Sequence, residues 1–547
     1  MSDTAKLKTM TARFAPVDLT VDVSALPANE RQALARLVEA ARVMDALFLR
    51  QVWAGNESML LGLLNDDTPL GLARLHYFLT NKGPWSRLDH DEAFVPGAPV
   101  KPAGANFYPA GAAKAEVERW IEGLPPAERE RATGFFTTIR RAPGGGFALV
   151  PYSQEYQGEL ERAAELLREA AALSAQPTLK AYLTTRADAF LTNDYYPSDL
   201  AWMALDSSIE PTIGPYEVYE DGWFNYKAAF EGYVTVRDDA ETQKLAMLGD
   251  HLQDIEDHLP IDPQYRNPHL GALAPIRVVN EIFASGDGNR GVQTAAFNLP
   301  NDERIIREQG AKRVMLRNVQ RAKFDVALVP ISKVVLERAD QPTVSFEAFF
   351  THTVMHELMH GLGPHHLTVD GRKTTVRQEL KDTYSAIEEG KADVSGLFAL
   401  QHLVDRGVLS QSFERTMYTT FLASAFRSIR FGIHEAHGLG QVVQLNYLWD
   451  YGAFVLHPDG TFGVNAAKIR EGVQVLTHDV MTLQAEGNVA KAREMLKTLG
   501  VIRPPVRQLL DRLRDVPVDI APRFTTADRL VNEDLGRAPA APGGARD

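Results

Sequence analysis

The segment His352-Thr-Val-Met-His356-Glu357-Leu-Met-His360-Gly-Leu-Gly-Pro-His365-His366 holds five of the chain's fifteen histidines. Ser345 is placed to cap a helix whose end is marked by Gly361, Gly363 and Pro364, residue types expected past a helix C-terminus. On that helix His356 and His360 are four apart, so both imidazoles leave one face and can bind a single ion. Glu357 follows the first of them and points to the side where a metal-bound water would lie. His-Glu-x-x-His also arises by chance, and two imidazoles are not a complete site, so a third ligand is required.

A second helix, read over Glu379 to Asp405, supplies candidates. Its apolar residues Leu380, Tyr384, Ile387, Val394 and Leu397 recur at helical spacing, and among them stand Glu388, Glu389 and Asp393. Taken alone, three such acids read as a solvated face. Beside the histidines they read as one ligand and its support: Glu389 and Asp393 are one turn apart, so one can ligate while the other hydrogen-bonds a ligand imidazole and fixes its tautomer. Two histidines and one carboxylate leave a fourth tetrahedral position open, the mark of a catalytic zinc. His352, His365 and His366 read as supporting or surface residues.

The rest of the chain bounds this reading. At 547 residues it exceeds what one core can serve, so two or more domains are expected. Cysteine is absent, which excludes thiolate metal sites, disulfides and cysteine nucleophiles. A formal net charge of −13 argues against a phosphate backbone as partner. Met1 to Arg13 is polar and no apolar run reaches membrane-spanning length, which sets no membrane and a cytoplasmic location as the expectation.

Helical spacing recurs at Glu30 to Trp53, Ala113 to Ile121, Gln154 to Leu173 and Ser410 to Ile433. Pro211 to Asp238, Pro275 to Phe283 and Lys312 to Leu316 read as strands. The fold class expected is α+β: a mixed lobe with a β-rich core from 1–240 and about 275–325, then a mostly helical zinc-bearing lobe from about 326–490. C-terminal helices are expected over 491–536 and a disordered tail over 537–547.

These residues resemble the dipeptidyl-peptidase III metallopeptidases. That family pairs a His-Glu-x-x-(x)-His helix with a Glu-Glu-x-Arg-Ala-Glu/Asp helix, matched here by His356 to His360 and by Glu388 to Asp393. The resemblance implies two lobes around a cleft, Glu389 as the third ligand of one zinc ion, and Glu388 and Asp393 as carboxylates behind the ligands. Ile213 to Asp221, leading into Phe230 to Val234, is similar to the stretch that contacts substrate, which implies roles for Glu217 and Tyr219. Phe297 to Glu303, followed by Arg317, is similar to the stretch whose asparagines hold the peptide N-terminus, here Asn298 and Asn301. Glu435-Ala-His437 resembles the segment whose histidine stabilises the transition state. Two departures stand out: the zinc histidines are separated by one residue fewer than is usual, and Lys391 replaces the arginine.

The implied activity is zinc-dependent release of N-terminal dipeptides from short peptides, with Glu357 as the base. Two other readings stay open: a zinc peptidase of different specificity, and a zinc protein that binds peptides without cleaving them. A third, hydrolysis of a nucleotide diphosphate, rests on a weak similarity of Glu303 to Gly310 to a Nudix box; the upstream glycine and paired acids are missing.

Overall fold

The computed structural model describes residues 3–270, 275–369 and 371–536. The expected tail from 537 onward lies outside them. The chain divides into two units, one formed by 1–239, 274–319 and 519–547, the other by 240–273 and 320–518. The first is mixed and the second mainly helical, as the α+β reading requires.

In the first unit β1 (Phe14–Asp18) stands apart from a five-stranded sheet of β2 (Thr212–Pro215), β3 (Phe230–Arg237), β4 (Ile276–Gly286), β5 (Ala296–Leu299) and β6 (Lys312–Leu316), ordered β2-β3-β4-β6-β5. Only β4 and β6 run parallel; the other pairs are antiparallel. Helix α1 (Ala28–Val52) buries Leu34, Leu37, Val38, Ala41, Met44, Leu47 and Phe48, and packs on β3, β4 and α2 (Gln157–Leu173). The i, i+3, i+4 spacing of its apolar residues produces that broad face. At the seat on the sheet, a Cβ on Gly232 would stand 3.1 Å from the Ala41 methyl.

The second unit is built around α3 to α7. Helix α3 (Phe346–Met359) lies against α4 (Tyr384–Asp405), and α4 is packed in turn by α5 (Gln411–Ile429), α6 (Ala436–Tyr451) and α7 (Ile469–Ala485). Ser345 caps α3, its hydroxyl accepting from the Ala348 N–H. Beyond the helix, the Gly363 N–H donates to Glu256 at 2.8 Å, a residue of the 240–273 segment, which thereby anchors the chain leaving α3.

Two expectations about elements change. The helix read from Glu379 begins as α4 at Tyr384, because Lys381 adopts φ +54° and breaks the path between a short helix over Val376–Leu380 and α4. Within Pro211 to Asp238, read as strands, lie β2 and β3 with an irregular loop between them. Residues 491–536 do not form one set of helices: Asp519–Arg523 is a strand, β7, pairing in parallel with β1, and only then does the helix Thr525–Asp534 follow. Pro522 lacks an N–H, which an edge strand tolerates and a helix interior does not.

The pairing of β1 with β7 joins segments far apart in the chain, and Ile520, opposite Ala15, is fully buried. Ile520→Ala is expected to cost about 2–5 kcal/mol. Denaturant unfolding followed by circular dichroism measures this; a change below about 1 kcal/mol would show that the seam contributes little.

Candidate active site

His356 and His360 project from the last turns of α3, one turn apart, as the spacing demands. Their Nδ1 atoms meet carboxylates: His356 Nδ1 donates to Asp393 Oδ1 at 2.7 Å and His360 Nδ1 donates to Glu388 Oε1 at 2.9 Å. A carboxylate only accepts, so each contact places the proton on Nδ1 and leaves the Nε2 lone pair free. The two Nε2 atoms approach to 3.2 Å, and Glu389 Oε2 lies 3.2 Å from one and 3.7 Å from the other.

Three acceptors therefore converge on one point, and the buried Glu389 Oε2 has no well-aligned hydrogen-bond donor. Such a convergence is repulsive unless a cation joins it. Proton affinities show the same demand. Burial opposes a charge on His356, yet Asp393 and Glu389 outweigh it and push the ring up to about 10. Burial disfavours ionised Glu389 and Glu388, but neighbouring imidazoles, and Lys391 for Glu388, hold both well below the usual carboxylate range. The residues present fit a divalent metal with affinity for nitrogen and oxygen.

Helix α4 positions the acids through two features that the motif alone does not reveal. Gly390 faces Gly440 of α6; a Cβ on Gly440 would stand 3.0 Å from the Gly390 nitrogen, so the helices touch backbone to backbone. Lys391 is fully buried, donates to the Met359 and Leu362 carbonyls at 2.9 and 3.2 Å, and pairs with Glu388 at 2.8 Å. It thus adds a donor to carbonyls at the end of α3 while neutralising the acid behind His360.

His437, in the first turn of α6, is exposed and places Nδ1 3.1 Å from Glu389 Oε2. That short contact with the Glu389 carboxylate raises its proton affinity against partial burial. Glu357 is half-buried beside His356 and adds to the negative field on that ring. His352 donates Nε2 to the Asp393 carbonyl at 2.9 Å, while His366 is exposed on a short strand. Sequence reasoning missed Gln441, Gln444 and Gln484, whose amides reach Asp393 and Glu388; glutamine carries no metal signature that would single it out.

A second set, Asp254, His258 and His402, also brings ligand atoms together. There Asp254 accepts from His402 at 2.7 Å and from Arg406 at 2.6 Å, so the carboxylate is already satisfied by a permanent cation.

The remaining sequence-derived residues lie in the first unit. Asp221 organises the loop between β2 and β3: its carboxylate accepts from the backbone N–H groups of Trp223, Phe224, Tyr226 and Lys227 and from the Tyr108 hydroxyl. That loop carries a half-buried Glu217 and an exposed Tyr219. Burial and the nearby Asp287 raise Glu217 to about 7, against the opposing pull of Arg290. Buried Glu231 adds a third acid to this group and is itself pushed upward by burial and by Glu217. Asn301 donates its amide to the Tyr216 carbonyl at 2.9 Å, next to Glu217 in the chain, and Asn298 is exposed on β5.

The profile of peptidase family M49 matches residues 148–393, which span both zinc motifs. Dipeptidyl-peptidase III from Corallococcus sp. strain EGB is 63% identical, with 98% of this chain and 100% of that one covered and a TM-score of 0.83. DPP III from Caldithrix abyssi is 46% identical, with 96% and 100% covered and a TM-score of 0.93. The chain belongs to peptidase family M49. A further relative, Nudix hydrolase 3 of Arabidopsis thaliana, is 43% identical over 572 residues, covering 95% of this chain and 74% of that protein. Roughly a quarter of the Arabidopsis protein thus lies outside the match. In this peptidase the stretch with weak similarity to a Nudix box, Glu303 to Gly310, is a two-turn helix over Glu303–Gln309 that ends at Gly310, between β5 and β6.

Replacing Lys391 by Met removes the only cation among the described residues paired with Glu388 besides the His360 ring, and a donor to the Met359 and Leu362 carbonyls, in a buried setting. Lys391→Met is expected to destabilise the protein by about 3–5 kcal/mol, and Lys391→Arg, which keeps the charge, by less. Urea unfolding of the three proteins checks this, and equal loss in both variants would remove charge pairing as the cause.

Proposed function

We propose that this M49 peptidase releases dipeptides from the free N-terminus of short peptides, with one zinc ion held by His356, His360 and Glu389. The observation that carries the metal assignment is the convergence of two imidazole lone pairs on the orphaned Glu389 oxygen. One zinc per chain follows from the second cluster being closed by Arg406 and from the absence of cysteine among the 547 residues. When bound, zinc supplies Lewis acidity to the scissile carbonyl and brings the pKa of water to about 7.

The chain's own groups do the rest. Glu357 takes the proton of the attacking water and hands it to the leaving amine nitrogen. His437, held by Glu389 and raised in proton affinity, donates toward the oxygen on which charge develops. Tyr219 offers an exposed phenol for the same purpose, a role supported by the resemblance. Glu217 receives the peptide ammonium, which the acid-rich surroundings of Glu231 and Asp287 favour. Asn301 steadies the Glu217 segment through Tyr216, and Asn298 supplies a further amide. Among the described residues no helix is long and apolar enough to cross a membrane.

Glu357→Gln retains size and removes the base, so turnover should fall by at least about 10²-fold with zinc content unchanged. Metal analysis alongside hydrolysis of a dipeptidyl-arylamide measures both; retained turnover would remove Glu357 from the mechanism. For the ammonium grip, mass spectrometry of one peptide with a free and an acetylated N-terminus is decisive. The free peptide should lose its N-terminal dipeptide and the acetylated one should be nearly inert, because its capture leaves buried polar groups unpaired. Glu217→Gln should impair the free peptide far more than the acetylated one. Equal cleavage of both forms, or internal cuts, would leave a zinc peptidase of another specificity.

A further inference from the structure

Both carboxylates that orient the zinc histidines are themselves held from behind by glutamines on two other helices. Gln441, one turn after His437 on α6, donates Nε2 to Asp393 Oδ2 at 2.5 Å; Gln444 adds a longer contact of 3.4 Å to the same oxygen. Gln484, on α7, donates Nε2 to Glu388 Oε2 at 2.7 Å. The opposite oxygens of these acids take the ring protons, Oδ1 from His356 and Oε1 from His360. All three glutamines are buried, Gln484 completely.

The amide orientation is forced. A carboxylate has only lone pairs to offer, so the NH2 group must face it and the amide oxygen must point away. The amide oxygens of Gln441, Gln444 and Gln484 have no protein partner among the described residues. A glutamine retained for packing alone carries a cost there without return, since an unpaired buried acceptor destabilises the fold and an apolar side chain of like shape would not. What the amides provide is a fixed carboxylate. Each acid is gripped at both oxygens, so its position, and with it the plane of one imidazole, is set before a metal arrives.

We propose that Gln441 and Gln484 are positioning residues for the metal ligands, Gln441 acting through Asp393 on His356 and Gln484 acting through Glu388 on His360. The assignment rests on the zinc site formed by His356, His360 and Glu389. The two chains of contacts end on different rings that converge on one point, so a loss in either weakens the same site and the two are coupled. Helix α6 then serves the site twice, presenting His437 toward Glu389 and, four residues on, steadying the acid behind His356.

The decisive measurement is the zinc dissociation constant of the full-length chain, obtained by competition with a chelator of known affinity. Gln441→Met and Gln484→Met keep side-chain length and remove the donor. Each should weaken zinc by about 10–100-fold and the double variant by more than either alone, a loss read separately from any fall in the melting temperature of the metal-free protein. Asn446→Leu is the structural control: this buried α6 residue donates to the Leu499 and Val501 carbonyls at 2.8 Å and touches neither acid. It should lower the melting temperature and leave zinc affinity unchanged. Should a Met variant fail to fold, Gln441→Glu or Gln484→Glu, of the same shape but opposing the acid with like charge, tests the same contact and should also weaken zinc. Parental zinc affinity in the Gln variants, or equal weakening in Asn446→Leu, overturns the proposal. A parent protein that binds no zinc, or binds it undiminished after His360→Ala, would instead overturn the metal site itself.

Discussion

Helix α4 is enclosed on nearly every side, yet it carries Glu388, Glu389, Lys391 and Asp393 within six consecutive positions. Buried charges are tolerated only where partners compensate their lost hydration, and every nearby feature of the second unit answers that demand. Lys391 neutralises Glu388 and caps the preceding helix. His356 and His360 give their ring protons to Asp393 and Glu388, and glutamines from α6 and α7 cover the remaining oxygens. Among these groups Glu389 alone is left with an oxygen lacking a well-aligned donor, and that residual negative charge, facing two lone pairs, fits a metal ion.

The first unit treats its acids differently. Glu220 is buried with Arg87, Lys101 and Arg290 around it, and these cations hold it well below the usual carboxylate range despite burial. Glu217, Glu231 and Asp287 share Arg290 among them, and their proton affinities rise instead. A group of carboxylates with too little positive charge to pair it is suited to an ammonium ligand, whose arrival would restore the balance. The loop that presents Glu217 is rigid at its base because Asp221 collects four backbone donors and Lys227 is tied to the Ala132 and Gly134 carbonyls.

The two departures from the family pattern have local explanations. With four-residue spacing, His356 and His360 sit on a helix that is regular through Met359, so no bulge is needed to bring both rings to one ion. Lys391 serves where the family has arginine because its three donors reach two carbonyls and one carboxylate from a single nitrogen.

Periodicity and spacing in the sequence were enough to place α1, α3, β4 and β6, the His-Glu-x-x-His face, and the acids of α4, because each is written in residues within a few turns of one another. The lysine cap on α3, the glycine contact between α4 and α6, the glutamines behind the ligands and the β1–β7 seam were not legible. Each depends on groups far apart in the chain, up to 505 residues for Val17 and Pro522 paired across the seam, and on residue types common on any surface. Local sequence determines which side chains share a face; which face meets which is decided by burial of the whole core, and only the folded chain shows that, of the acids on α4, Glu389 keeps an oxygen without a well-aligned donor.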